Sequence, residues 1–239
     1  MTITPETTVA EIATSTPATI RVFQQHGIDY CCGGKIPLTE ACAVRGLETD
    51  ALLAELRSAV APAPDEPVWA TESLTALVKH IQATYHEPLR VELPRLEAML
   101  DKVVSRHGDH LPDVLLPLQQ TFKHLKAELL AHMRKEDVVL FPFIVALEAG
   151  KTGPVPEPAS WILSPLAAME SDHEEAGEAL AQIRQTTNGF APPEWGCPTF
   201  RGLYYGLAQL EADMHLHVHL ENNVLFPRAA RLAEERHAT

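Results

Sequence analysis

The chain has 239 residues, 19 Lys+Arg against 32 Asp+Glu for a formal net charge of −13, and 12 histidines. The acidic surplus argues against nucleic acid and anionic membrane as partners, and no run of about 18 apolar residues offers a membrane span. Four cysteines in a chain this long do not make a disulfide scaffold and no basic-then-apolar leader opens it, so a reducing cytoplasm is the expected setting.

Residues 1–60 read as a small helical domain. Thr8-Val-Ala-Glu11 fits a capping box. Thr16-Pro17 fits an N-cap with proline at the first helical position, and the helix so opened should stop at Gly27. Thr39 and Thr49 can open two further short helices, the second carrying Leu52, Leu53 and Leu56. Between Gly27 and Thr39 lies Asp29-Tyr30-Cys31-Cys32-Gly33-Gly34-Lys35, a loop with no helical period. Adjacent cysteines have Cα atoms about 3.8 Å apart, below the usual disulfide range, so a bond between Cys31 and Cys32 would be strained and readily reduced. Two free thiols on such a loop could hold iron, accept NO or dock on a partner; the plainer alternative is a pair of buried structural thiols. Gly33-Gly34-Lys35 lacks the spacing of a phosphate loop. The run Ala61-Pro-Ala-Pro-Asp-Glu-Pro67 suits a semi-rigid linker over 61–70.

From 71 to 239 the apolar periodicity is helical, with no alternating Val/Ile-rich runs. Breaks near Gly108, across 150–158 and across 189–198 leave four helices, roughly 72–106, 112–148, 165–187 and 199–234. Short connections between long helices favour antiparallel neighbours, hence an all-α chain ending in a four-helix bundle. One segment occurs twice. His132-Met-Arg-Lys-Glu136-Asp-Val-Val-Leu-Phe-Pro142 is matched 85 residues later by His217-Val-His-Leu-Glu221-Asn-Asn-Val-Leu-Phe-Pro227. Residues i and i+4 share a helix face, so each copy offers an imidazole beside a carboxylate. Pro142 and Pro227 remove bonds to the carbonyls of Val138 and Asn223 and should kink both helices just past the pair.

All six chemistry-bearing side chains fall on apolar stripes: His86 with Leu89 and Leu93, His132 and Glu136 with Leu125 and Leu129, His173 with Met169 and Leu180, His217 and Glu221 with Leu210 and Met214. Counted from the helix turns at about 1.5 Å per residue, His86 and His132 lie at one depth, and His173 and His217 behave likewise. Buried ionisable groups are costly unless partnered. Buried His–Glu hydrogen bonds are one explanation; a metal centre is the other. One metal would leave donors over. Two metals, each with two imidazoles, would share Glu136 and Glu221 as bridges. Imidazole with carboxylate suits iron, manganese or zinc, and two bridging carboxylates suit a redox pair of irons joined further by an oxo or hydroxo group, with positions open for O2, NO or water. The remaining histidines lack such company. His80 should face solvent, His107 lies about 30 Å away along its helix, and His215 and His219 lie on the face opposite His217, where a solvated surface is expected. Tyr85 should pack beside the site.

Ferritin-like bundles use Glu-x-x-His and more carboxylates; His-x-x-x-Glu with histidine dominant points to a hemerythrin-like bundle. Taken together, Asp29-Tyr30-Cys31-Cys32-Gly33-Gly34, Tyr85-His86, His132-Met-Arg-Lys-Glu136, Met169-Glu-Ser-Asp-His173-Glu-Glu-Ala-Gly177 and Leu220-Glu-Asn-Asn-Val-Leu-Phe-Pro227 resemble the iron–sulfur cluster repair di-iron proteins, over nearly the whole chain. The resemblance implies that His86, His132, Glu136, His173, His217 and Glu221 hold two iron ions per chain, with both glutamates bridging. It implies repair of iron–sulfur clusters damaged by NO or oxidants, in the cytoplasm, with the family's vicinal cysteines at Cys31 and Cys32 as a transfer or NO-trapping device. The partners would be proteins with damaged clusters, with NO or O2 at the di-iron site; a homodimer is admissible. A non-haem di-iron NO reductase and an O2/NO-binding sensor are the competing functions. Cys42, His215 and His219 have no place in the pattern.

Overall fold

The computed structural model describes residues 3–59, 69–150 and 159–237. Most of the linker expected over 61–70 therefore lies outside the described residues. Those described are helical with no strand; one isolated bridge pairs Thr8 with Pro37.

The first four helices are short: α1 (Val9–Ser15), α2 (Ile20–His26), α3 (Leu38–Arg45) and α4 (Thr49–Ser58). The capping box forms as its sequence requires: the Glu11 amide donates to Thr8 Oγ1 at 3.2 Å and the Thr8 amide to the Glu11 carboxylate at 3.0 Å. Thr16-Pro17 opens a 3-10 turn, Pro17–Thr19, and α2 follows it. That helix ends at Gly27, whose φ of 63° is the left-handed conformation glycine adopts without strain. Phe23, Leu38 and Leu56 are fully buried among these helices.

Four long helical rods follow. The first joins α5 (Leu74–Ile81) to α6 (Glu87–His107), the second α7 (Pro112–Lys135) to α8 (Phe141–Glu148), the third is α9 (Leu163–Thr186), and the fourth joins α10 (Pro198–Leu220) to α11 (Phe226–His237). α7 packs on α6 and α9, and α10 on α6 and α9, which closes the bundle. Gly206 permits the close approach of α10 to α6, since a Cβ there would meet Leu96 Cδ2 at 2.5 Å. The Glu148 carboxylate accepts the amides of Leu74 at 2.7 Å and Thr75 at 2.8 Å, satisfying the first turn of α5.

Three rods contain a π-helical turn: Gln82–His86, Glu136–Leu140 and Glu221–Leu225. Each closes through an i to i−5 bond, from the amides of Glu87, Phe141 and Phe226 to the carbonyls of Gln82, Glu136 and Glu221. Each is succeeded by a proline, Pro88, Pro142 or Pro227. The expected break in hydrogen bonding at Pro142 and Pro227 is thus absorbed in a widened turn, and the rod continues. One extra residue in a turn rotates the remainder of the rod by about 100°. That rotation keeps both the ligand-type residues and the Leu-Phe pairs after them facing inward. Leu140, Phe141, Leu225 and Phe226 are all buried.

The bundle's apolar interior is two clusters. One contains Leu93, Leu96, Phe122, Phe200 and Leu207 and runs on without interruption into the core of the N-terminal helices. The other contains Leu77, Ile81, Phe141, Ile144 and Phe226 at the opposite end. In all four rods the polar inward positions fall between these clusters. No helix among the described residues is long and apolar enough to cross a membrane.

Candidate metal centre

His86 is carried by the first π turn. His132 lies in the last turn of α7, and Glu136 opens the π turn after it. His173 lies midway along α9. His217 and Glu221 repeat the second arrangement on the fourth rod. None of the six is more than 4 % exposed. Their donor atoms fall into two sets, each within 4.8 Å of one another: His86, His217, Glu136 and Glu221, and His132, His173, Glu136 and Glu221. Both carboxylates belong to both sets. Glu136 Oε2 lies 3.4 Å from His86 Nε2 and 3.2 Å from His132 Nε2. Glu221 presents Oε1 to His217 at 3.0 Å and Oε2 to His173 at 3.2 Å.

The chemistry of these contacts suits cations better than mutual hydrogen bonding. His86 Nε2 faces His217 Nε2 at 3.0 Å and His132 Nε2 faces His173 Nε2 at 2.9 Å. Both Glu136 oxygens and Glu221 Oε2 are buried with no hydrogen-bond partner among the described residues. Buried acceptors are nearly always paired, so converging lone pairs of this kind mark a site built for positive charge.

A second layer turns the imidazoles. His86 Nδ1 lies 3.0 Å from Asp137 Oδ1, which also accepts from Gln82 at 2.8 Å, and the Asp137 carboxylate pairs with Arg90. His132 Nδ1 lies 3.1 Å from Asp172, itself 2.9 Å from Lys135 Nζ. His173 Nδ1 is 2.8 Å from Asn222 Oδ1. An acceptor on Nδ1 fixes the tautomer that leaves Nε2 free to ligate. Sequence reasoning did not single out Asp137, Asp172 or Asn222. The available signal was adjacency, since each neighbours a candidate ligand in the chain.

Burial alone would lower the pKa of His86 and His132. The Asp137 hydrogen bond and the Glu221 and Glu136 charges outweigh it at His86, and Glu136, Glu221 and Asp172 do so at His132, so each is pushed up to about 9. Burial would raise Glu221, but the charge on His217 and the close imidazoles of His173, His217 and His86 hold it well below the carboxylate range. The two raised histidines stabilise the metal-free fold fully below their ordinary 6.5 and lose that contribution as pH rises through about 9. The metal-free chain should therefore melt at progressively lower temperature across that window. Ferrous iron, which competes with the same protons, should bind more tightly across it. Thermal melts with and without ferrous iron check both signs; a metal-free Tm that rises over the window contradicts the assignment.

The vicinal cysteines lie against this centre. Asp29 Oδ1 accepts the amides of Cys31 at 2.9 Å and Cys32 at 3.0 Å, and Oδ2 that of Gly33 at 2.8 Å, which folds the loop. Both thiols are free, with Sγ atoms 3.8 Å apart, and Cys32 Sγ is 3.8 Å from the His173 carbonyl. Asn223 Nδ2 donates to the carbonyls of Tyr30 at 3.2 Å and Cys31 at 3.1 Å, so the π turn of the fourth rod carries a ligand-type residue on one side and grips the thiol loop on the other. The hydrogen bond with Cys32, burial and the Asp29 charge all raise the Cys31 thiol well above its ordinary value.

Two expectations change. His219 is buried at 2 % exposure and His215 is half-buried, because Tyr30 packs edge-on against both rings. The face opposite His217 is covered by the N-terminal helices, which a reading of the bundle alone leaves open. His80 is half-buried as well, stacked on Trp69 with ring centroids 4.2 Å apart. Tyr85 packs as expected, parallel to His217 at 5.2 Å. His107 sits with Trp195 and Phe200, away from the centre. Cys42 is buried in the core of the N-terminal helices.

Fold and site together define a hemerythrin-type bundle with a thiol-bearing helical domain packed on it. Residues 77–229 match the family described as hemerythrin HHE cation binding domain, and residues 5–60 match a domain of unknown function, DUF542. Iron-sulfur cluster repair protein YtfE of Escherichia coli O1:K1 is 39 % identical over 221 residues, covering 92 % of this chain and 95 % of the relative. The proteins of that name from Escherichia fergusonii and Citrobacter koseri show the same identity and coverage. The chain belongs to the YtfE family of iron-sulfur cluster repair proteins.

Proposed function

We propose that this chain holds two irons between its four bundle rods and uses them, in the cytoplasm, to restore iron–sulfur clusters damaged by nitrosative or oxidative stress. His86 and His217 would hold one iron, His132 and His173 the other, and Glu136 and Glu221 would bridge them. The observation that carries this is the sharing of both carboxylates by both histidine pairs, with a free dithiol loop packed on the same centre. Residues 1–60 and 71–239 would be two modules joined by 61–70.

Iron, when bound, supplies positions for small diatomic ligands such as NO or O2. The chain's own residues do the rest. Asp137, Asp172 and Asn222 aim three imidazoles inward. Apolar clusters above and below keep bulk water from the donors. A site of imidazole and carboxylate holds ferrous iron less firmly than a thiolate cage would, which suits iron as cargo: Fe2+ exchanges ligands and leaves at the same oxidation state. Cys31 and Cys32 sit where they could take over iron or NO during the hand-over. A sensor that only bound O2 or NO would leave that loop without a role.

The test is anaerobic mixing of the iron-loaded protein with a client whose cluster has been removed, in the presence of sulfide. Iron should move to the client and its cluster absorption should return. Retention of all the iron by this chain, with the client unrepaired, would sink the donation reading. Production of N2O from NO by the reduced protein would favour a reductase.

A further inference from the structure

The two half-sites look alike by sequence, yet one outer support has no counterpart in the other half. In each half the residue after the bridging glutamate turns that half's own lone histidine: Asp137 for His86 and Asn222 for His173. The residue before that lone histidine reaches across to the other half. Asp172, before His173, hydrogen-bonds His132. Tyr85, before His86, stacks flat on His217 with an interplanar angle of 7°. An aromatic ring parallel to an imidazole gives its Nδ1 no acceptor, and His217 Nδ1 is buried without a hydrogen-bond partner among the described residues.

The halves also differ in cover. The His173 side carries the thiol loop, through the His173 carbonyl and Asn222. On the His217 side, Tyr85 lines a surface cavity of about 380 Å³ whose wall includes Glu92, Leu210 and Asp213.

We propose that the two metal positions are unequal, and that the one bounded by His86 and His217 releases its iron first. This rests on the two-iron reading above. Loss of an outer partner of a ligating histidine lowers metal affinity by about 10- to 100-fold. His217 lacks such a partner while His132 and His173 have theirs. The labile ion would leave to the chelator as Fe2+, with no change of oxidation state, and solvent protons could take the lone pairs freed on His86 and His217. Tyr85 is a positioning residue here: it sets His217 by packing and leaves its Nδ1 unsupported.

The experiment loads the full chain anaerobically with ferrous iron, confirms about two irons per chain, and follows release to an excess of ferrozine. Two phases of equal amplitude should appear, at least roughly tenfold apart in rate. Tyr85→Asp places a carboxylate beside His217 as Asp172 stands beside His132, and should slow the fast phase toward the slow one. Tyr85→Phe keeps the ring and should keep both phases. Two further variants settle the order should Tyr85→Asp fail to fold. His217→Ala should retain about one iron that leaves at the slow rate, and His173→Ala about one that leaves at the fast rate. A single phase from a chain carrying two irons, or the reverse order in the histidine variants, overturns the proposal and spares the two-iron reading. A chain that never loads a second iron overturns both.

Discussion

A chain carrying Glu136→Gln and Glu221→Gln should hold essentially no iron while keeping its helices. The carboxylates are the only anionic donors in the two sets, and each set contains both of them. Four imidazoles would remain for two dications, divided between two positions and with no bridging charge between them. Each anion lost removes Coulomb attraction for both dications at once. Glutamine is close in volume to glutamate, so the buried turns at Glu136–Leu140 and Glu221–Leu225 need no repacking. Iron content should fall by well over tenfold, a loss beyond that of an outer-layer partner, and circular dichroism should show the same helix content. Iron retained at the wild-type level would remove the glutamates from the ligand set.

The second large effect is expected at the thiols, where repair is lost and metal is kept. Cys31→Ser/Cys32→Ser should abolish repair of a client cluster and leave the iron content at its wild-type value. Neither thiol belongs to the two donor sets. The loop is shaped through main-chain groups, the amides held by Asp29 and the carbonyls held by Asn223, and serine preserves all of these. The substitution therefore changes the chemistry at Sγ and little else. Loss of iron together with repair would mean that the cysteines are structural, packing the N-terminal helices onto the bundle. A companion change, Asn223→Ala, should loosen that packing without touching a donor atom. It removes the shorter bonds to the carbonyls of Tyr30 and Cys31 and leaves them the longer contacts from His219 at 3.3 Å and Asn222 at 3.5 Å, a loss of about 1 kcal/mol per bond. A lower Tm at unchanged iron content is the expected readout.

Much of the bundle was legible because its signals are local. The apolar stripes place the rods to within a few residues of Leu74–His107, Pro112–Glu148, Leu163–Thr186 and Pro198–His237. The duplicated His-x-x-x-Glu-x-x-x-Leu-Phe-Pro segment fixes a shared inward face, and equal distances from the turns bring the faces to one depth. The capping box at Thr8 and the stop at Gly27 are likewise encoded within a few residues.

The features that stayed hidden depend on groups that lie across the fold. Proline after the repeated segment reads as a kink, because a single helix has no other answer to a missing donor. Inside the bundle Phe141 and Phe226 are buried just past the glutamates, and the missing bond is taken up in a π turn from which the helix continues. His219 looks solvent-facing until Tyr30, 189 positions earlier, is seen lying on it. Asp137, Asp172 and Asn222 are ordinary polar residues in the sequence and gain their role only when His86, His132 and His173 arrive from other rods. The unequal support of the two halves is of the same kind. Tyr85 and Asp172 occupy matched positions in the repeat, and only the packed structure shows one stacking where the other bonds.

Metal analysis joined to a Mössbauer spectrum tests the central claim most directly. The protein is reconstituted anaerobically with isotopically enriched iron, freed of loose metal and oxidised in air. Two irons per chain with the diamagnetic low-temperature spectrum of a coupled ferric pair is the predicted result, because Glu136 and Glu221 each reach both histidine pairs. One iron per chain, or two that behave as isolated paramagnetic ions, would contradict a shared centre.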